Sequence, residues 1–182
     1  NPNGGITYRT NLYYASKSNR KKYLKILDKY EPLFFLKCDD VSIASTLSMY
    51  FGEKFLYDEK KLNYFSGTHW VQNCEKEFHD ALGDLAKIYN EKRLEKIQDK
   101  DYCKKVDAIQ RKITNTSWSK GIYTKFIYMR QEKDIQWEAN PLVCFSNRVY
   151  NLDKRMWVTG KPTDYMNLST GYAWKEPSEE EL

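Results

Sequence analysis

Lys54-Phe-Leu-Tyr-Asp-Glu-Lys-Lys-Leu-Asn-Tyr-Phe-Ser-Gly-Thr-His-Trp-Val71 is the stretch on which the fold class turns. Lys54–Tyr57 and Leu62–Phe65 are short runs of aromatic and aliphatic residues, too brief for a helix and suited to a pleated surface. Ser66-Gly67-Thr68 supplies a turn, and His69-Trp70-Val71 is a third piece of the same kind. From Glu75 the spacing changes. Phe78, Leu82, Leu85, Ala86 and Tyr89 recur at three and four residues and the pattern runs on towards Leu94 and Ile97, which predicts an amphipathic helix. A β-hairpin or wing is therefore set among helices, and the fold class expected is α+β.

Upstream, Asp39 or Asp40 is placed to cap a helix that ends at Gly52, with Val41, Ala44, Leu47 and Met49 as its apolar face. A basic helix is expected from Ser18, with Tyr23, Leu24, Ile26 and Leu27 apolar and Arg20, Lys21, Lys22 and Lys25 charged; it ends before Pro32. Downstream, Val106, Ile109 and Ile113 share one face of a further helix, and another runs through Trp118 to about Arg130. After Asn140-Pro141 the chain reads as short extended pieces, Leu142–Phe145, Val149–Leu152, Met156–Val158 and Leu168–Ala173, separated by polar or glycine-containing turns. The organisation expected is a lead segment over 1–16, one domain over 17–174 and an acidic, proline-bearing linker over 175–182. The domain should have a mainly α-helical body, an inserted β-hairpin and a small C-terminal set of short strands.

With 182 residues, 41% of them hydrophobic and 15% aromatic, the chain can bury a core and lacks the composition of a disordered segment. Its net charge of +5, from 30 basic and 25 acidic residues, permits a nucleic-acid partner without demanding one. Cys38, Cys74, Cys103 and Cys144 form no C-x-x-C pair, so neither a zinc ribbon nor a thioredoxin-like site is expected, and free thiols fit a reducing intracellular compartment. No apolar run approaches the ~20 residues that span a bilayer, and no membrane partner is expected.

Catalytic chemistry is sparsely provided. There is no G-x-x-x-x-G-K-S/T and no G-x-G-x-x-G after a strand, so ATP hydrolysis is not assigned to this chain and no cofactor is expected in it. His69, Cys74 and His79 are evenly spaced, but a strand, a loop and a helix would have to converge and a fourth ligand is missing, so no metal site is expected. The adjacent Asp39 and Asp40 point apart on a helix, and capping accounts for one of them. A metal-dependent primase or nuclease fragment using Asp39, Asp40 or Asp58 is the alternative, and it requires those carboxylates to meet in one pocket.

Basic and aromatic residues interleave at Lys104, Lys105, Arg111, Lys112, Trp118 and Lys120. Single-strand binding needs this combination, cations for phosphates and a ring for a base. Trp118 also suits a core, where large aromatics are mostly buried. A protein-only adaptor without DNA contact is the third reading.

Asn140-Pro-Leu-Val-Cys-Phe-Ser-Asn-Arg-Val-Tyr-Asn-Leu152, followed by Lys161-Pro-Thr-Asp-Tyr-Met-Asn-Leu-Ser-Thr-Gly-Tyr172, resembles the end of a known domain. That domain precedes the superfamily 3 helicase motor in poxvirus-type and giant-virus primase-helicases and is also found in phage and plasmid primases. There an apolar strand leads to Asn-Gly-Val-(Tyr/Phe)-Asp-Leu, then a proline-Asp-Tyr segment, then a Thr-Gly-Tyr strand. Asn147, Val149, Tyr150 and Leu152 keep this order, and Pro162, Asp164, Tyr165, Thr170, Gly171 and Tyr172 supply the second half. Asp40-Val41, Phe55 and a Tyr64-Phe65 pair closing on Trp70 extend the resemblance to about residues 39–174. Arg148 stands where the family has glycine and Asn151 where it has aspartate, so Asn147 is expected to take the left-handed conformation of the turn.

The resemblance implies an accessory domain of a viral replicative helicase-primase, not an enzyme by itself. Its implied partners are DNA, as single strand or fork, the protein's own ATPase and primase domains, and further copies in a homo-oligomer, with a hexamer as the candidate stoichiometry. ATP and Mg would then belong to the ATPase domain alone, and the compartment would be the host cytoplasm at viral replication sites. The motif itself reads as a packed hairpin that closes the domain.

Overall fold

A computed structural model describes residues 36–58 and 60–176 of the chain. The basic helix expected from Ser18 lies outside the described residues, as do the side chains of Thr116, Ser117 and Trp118. Along the described residues run α1 (Asp40–Phe51), β1 (Phe55–Tyr57), β2 (Leu62–Phe65), β3 (Trp70–Gln72), α2 (Glu75–Glu95), α3 (Lys100–Thr114), α4 (Thr116–Met129), β4 (Leu142–Cys144), β5 (Val149–Asn151) and β6 (Met156–Val158). The strands form two antiparallel three-stranded sheets, β1-β2-β3 and β4-β5-β6, and the fold is α+β as the sequence requires.

Asp39, in an extended conformation, accepts the Ser42 N–H at 2.8 Å and so caps α1. The bonds from Ser42, first its backbone N–H, hold the Asp39 carboxyl below its ordinary value. Asp99 caps α3 in the same way through Tyr102 N–H at 3.0 Å. Strands of three and four residues are marginal on their own. The first sheet is held instead by its rings. Phe126 of α4 lies 5.3 Å from Phe55 of β1 and 5.5 Å from Phe78 of α2, and Phe78 meets Tyr123 edge-on at 5.0 Å. Phe55, Phe78 and Phe126 are fully buried, a contribution of roughly 1.5–3 kcal/mol each.

Burial departs from expectation at the helix flanks. Val41 is 38% exposed, because the buried stripe of α1 is Ile43, Ala44, Thr46 and Leu47 and Val41 lies on its edge. Met49 is only partly buried. Leu94, in the last turn of α2, and Ile97, beyond it, are exposed where the chain reverses into α3.

In the second sheet Cys144, Val149 and Val158 stand opposite one another and, with Met166 and Leu142, form a small core of their own. The strand expected at Leu168–Ala173 does not form. The segment follows β4, with Thr170 N–H donating to Cys144 O at 2.9 Å and Ser146 N–H to Tyr172 O at 3.0 Å. It bends at Gly171 (φ 75°), where the Ser169 hydroxyl accepts Gly171 N–H in place of a ladder bond.

Trp70, 3% exposed, joins the two cores. Its backbone N–H donates to Met166 O at 2.7 Å and its indole N–H to Pro162 O at 2.9 Å. The approach is close enough to require Gly160: a Cβ there would lie 2.9 Å from Gly67 O and from Thr68 Cα.

Burial pushes the thiols of Cys74 and Cys144 up to about 11, so little thiolate exists at each near neutral pH. Cys38 is exposed and Cys103 half-buried. At pH 8 a chromogenic disulfide reagent should label Cys38 quickly and Cys103 more slowly, with Cys74 and Cys144 reacting only in denaturant. Fast labelling of all four in the native protein would contradict this packing.

Candidate nucleic-acid interface

Helix α3 buries Tyr102, Val106, Ile109 and Ile113. Lys104, Lys105 and Arg111 lie on its exposed side, and Lys120 is exposed on α4. Spacing of seven places Lys104 and Arg111 on one row of the helix surface. Trp118 falls in the first turn of α4.

Lys112 stands apart from these cations. Its Nζ lies 2.8 Å from Asp40 Oδ1, and the two side chains are only 18% and 34% exposed. The cause is local. Asp40 sits on the row of α1 that carries Ile43, Ala44 and Leu47, so its carboxylate is turned into the body, and a carboxylate withdrawn from water needs a counter-charge. It also abuts α4 at Gly121, where a Cβ would overlap Asp40 Oδ2 and lie 2.9 Å from Cγ. The ion pair ties α1 to α3, and the same carboxylate packs on α4 at Gly121.

The remaining polar candidates are engaged separately. Asp39 caps α1, while Asp58 accepts the Lys60 and Lys61 N–H groups at 3.4 and 3.1 Å within the hairpin turn. His69 Nδ1 lies 2.9 Å from Thr68 Oγ1, and burial lowers its pKa against the opposing pull of Glu138. Cys74 Sγ donates to Leu62 O at 3.2 Å, and His79 is exposed on α2. Among the described residues no group of three or more His, Cys, Asp or Glu side chains is placed to hold a metal ion.

The C-terminal motif is largely a set of structural contacts. Asp164 Oδ2 accepts Lys161 N–H at 2.8 Å, fixing the turn that presents the Pro162 carbonyl to Trp70. Tyr165, at φ 49°, donates its hydroxyl to Glu132 at 2.8 Å, and its carbonyl accepts Glu138 N–H at 3.1 Å. Val149 is buried, whereas Leu152 and Tyr172 are exposed. Asn147 does not take the expected left-handed conformation. Positive φ falls instead on Asn73, Asp134, Glu138, Arg155 and Tyr165 among the non-glycine residues described. The tip closes through Phe145 N–H to Arg148 O at 2.8 Å, so Arg148 is accommodated without strain. The Asn147 side chain serves another end: it donates to Trp174 O at 3.0 Å and accepts Trp174 N–H at 2.8 Å.

Sequence reasoning passed over the partners this clamp assembles. Phe145, Tyr150, Trp157 and Trp174 form a contiguous group of rings, with Arg148 over Trp157 at 5.4 Å. The available signal was the alternation Arg148-x-Tyr150 beside Trp157, which puts these side chains on one sheet face.

A helical body is thus joined through Trp70 to a small sheet built on the Asn147–Tyr172 motif. The sequence model described as D5 N terminal like matches residues 44–181. The chain belongs to this family, the N-terminal domain of D5-like primase-helicases. A search of curated proteins returned no match. No helix among the described residues is long and apolar enough to cross a membrane.

Lys112→Met, which keeps the length of the side chain but leaves Asp40 without its counter-charge, should lower unfolding free energy by about 2–3 kcal/mol in urea. Adding Asp40→Asn should recover part of that loss. Affinity of the folded Lys112→Met protein for DNA should be unchanged; a selective loss of binding at full stability would return Lys112 to the interface.

Proposed function

We propose that this chain is the accessory domain lying directly ahead of the ATPase motor of a viral replicative helicase-primase, where it engages DNA and helps subunits assemble. The observation that carries the reading is the exposure of Lys104, Lys105 and Arg111 opposite the buried face of α3, with Lys120 on the next helix. Cations on rigid helices, without a nucleotide motif, suit the positioning of a phosphate backbone, which fixes register and orientation. The Lys104–Asp101 pair, at 4.0 Å and open to water, is worth well under about 1 kcal/mol and yields readily to a phosphate.

On this reading the domain extends over 17–174, the acidic segment 175–182 leads towards the motor, and the motor alone holds ATP and Mg. Several copies form a ring, with six as the candidate number, in the host cytoplasm at viral replication sites.

Replacing Lys104, Lys105, Arg111 and Lys120 together by glutamine should weaken binding to a forked duplex at least about tenfold at low salt. Each lost phosphate contact on a single strand should reduce the log–log salt slope by about 0.7. An unchanged slope and affinity would remove DNA from this face and favour a protein-only contact.

A further inference from the structure

The outer face of the C-terminal sheet differs from an ordinary solvated sheet face, which is polar. Strand alternation sends Cys144, Val149 and Val158 into the second core and leaves Tyr150 and Trp157, a cross-strand pair, on the other side. Ring centroids lie 5.1 Å apart for Tyr150 and Trp157, 5.1 Å for Trp157 and Trp174, and 5.5 Å for Phe145 and Trp174. All four rings keep part of their surface open, and Arg148 is exposed beside them. The rings pack on one another, while Cys144, Val149 and Met166 fill the second core on the opposite face.

Cations border the platform. Arg155 is exposed in the turn between β5 and β6, which also carries the exposed Asp153, and Lys175 follows Trp174; Lys154 of the same turn lines a cleft on the opposite face with Leu142, Asn151 and Val158. Glu176 lies 3.6 Å from Arg148 in an open pair that a phosphate can replace. Flat π-faces flanked by cations match a polyanion whose bases are unpaired, since a duplex hides those faces within its stack.

We propose that this face is a stacking platform for single-stranded DNA. Bases stack on Tyr150 and Trp157, and phosphates meet Arg148, Arg155 and Lys175. The clamp of Asn147 on Trp174 is a positioning contact that completes the platform. This inference deepens the DNA-engagement reading and rests on it, but it places the base contacts on a different surface from the α3 cations.

The test compares labelled twelve-nucleotide oligothymidylate with an abasic strand of equal length and charge, both titrated into the full chain at low salt with tryptophan emission recorded. The expected result is at least about tenfold tighter binding of the base-bearing strand, with quenching of emission. Trp157→Phe, which preserves a ring and should leave the melting curve unchanged, should remove the largest part of that quench. Tyr150→Ala should weaken oligothymidylate about tenfold and the abasic strand less than twofold. Equal affinity for the two strands overturns the platform while leaving DNA engagement standing. So does an unchanged oligothymidylate affinity in Tyr150→Ala. Absence of binding to either strand overturns DNA engagement itself, and with it the platform. A dimer in sedimentation that Tyr150→Ala dissolves overturns the platform in favour of contact with a second copy of this chain.

Discussion

Trp70 is the constraint on which the two halves of the domain depend. It ends the first sheet, opposite Phe65 and with the two ring centroids 5.4 Å apart, and it gives both of its donors to the C-terminal segment. A buried indole N–H left without an acceptor costs about 1–3 kcal/mol, so the position of the Pro162 carbonyl is dictated once Trp70 is buried. Asp164 and Tyr165 hold that carbonyl in place from below, through Lys161 N–H and Glu132. The proline-Asp-Tyr segment is thus legible as a receptacle for one tryptophan nearly a hundred residues earlier in the chain.

From this joint follows the arrangement of the two surfaces proposed to meet DNA. Helices α1, α3 and α4 are drawn together by the Asp40–Lys112 pair against Gly121, which leaves the neighbouring cations of α3 facing water. The small sheet, docked through Trp70, turns Val149 inward and Tyr150 outward. A rigid body that carries both surfaces can direct a strand, whereas two loosely linked lobes would offer two independent weak sites.

Periodicity made most of the elements readable. Leu62–Phe65 and Met156–Val158 form strands within the limits that alternation gives, and Val106, Ile109 and Ile113 are all buried on α3. Pairing across long separations was not readable in that way. Nothing in the composition of α3 distinguishes Lys112 from Lys105, because the difference lies in a carboxylate on α1. The role of Asn147 was hidden for a related reason: the turn suggested a backbone task, while the side chain reaches Trp174 by two hydrogen bonds. The meeting of Trp157 with Trp174 is likewise set by a long-range clamp, that of Asn147 on Trp174, and leaves no periodic trace in the sequence.

Native-state hydrogen exchange on Trp70→Phe tests the account most directly. Phenylalanine keeps the ring in the body but removes the indole donor to Pro162 O, so amides of β4–β6 and of 162–170 should lose protection while those of α2 and α4 keep it. The loss should correspond to about 1–3 kcal/mol of local opening free energy. Unchanged protection throughout residues 142–170 would contradict a domain held together at Trp70.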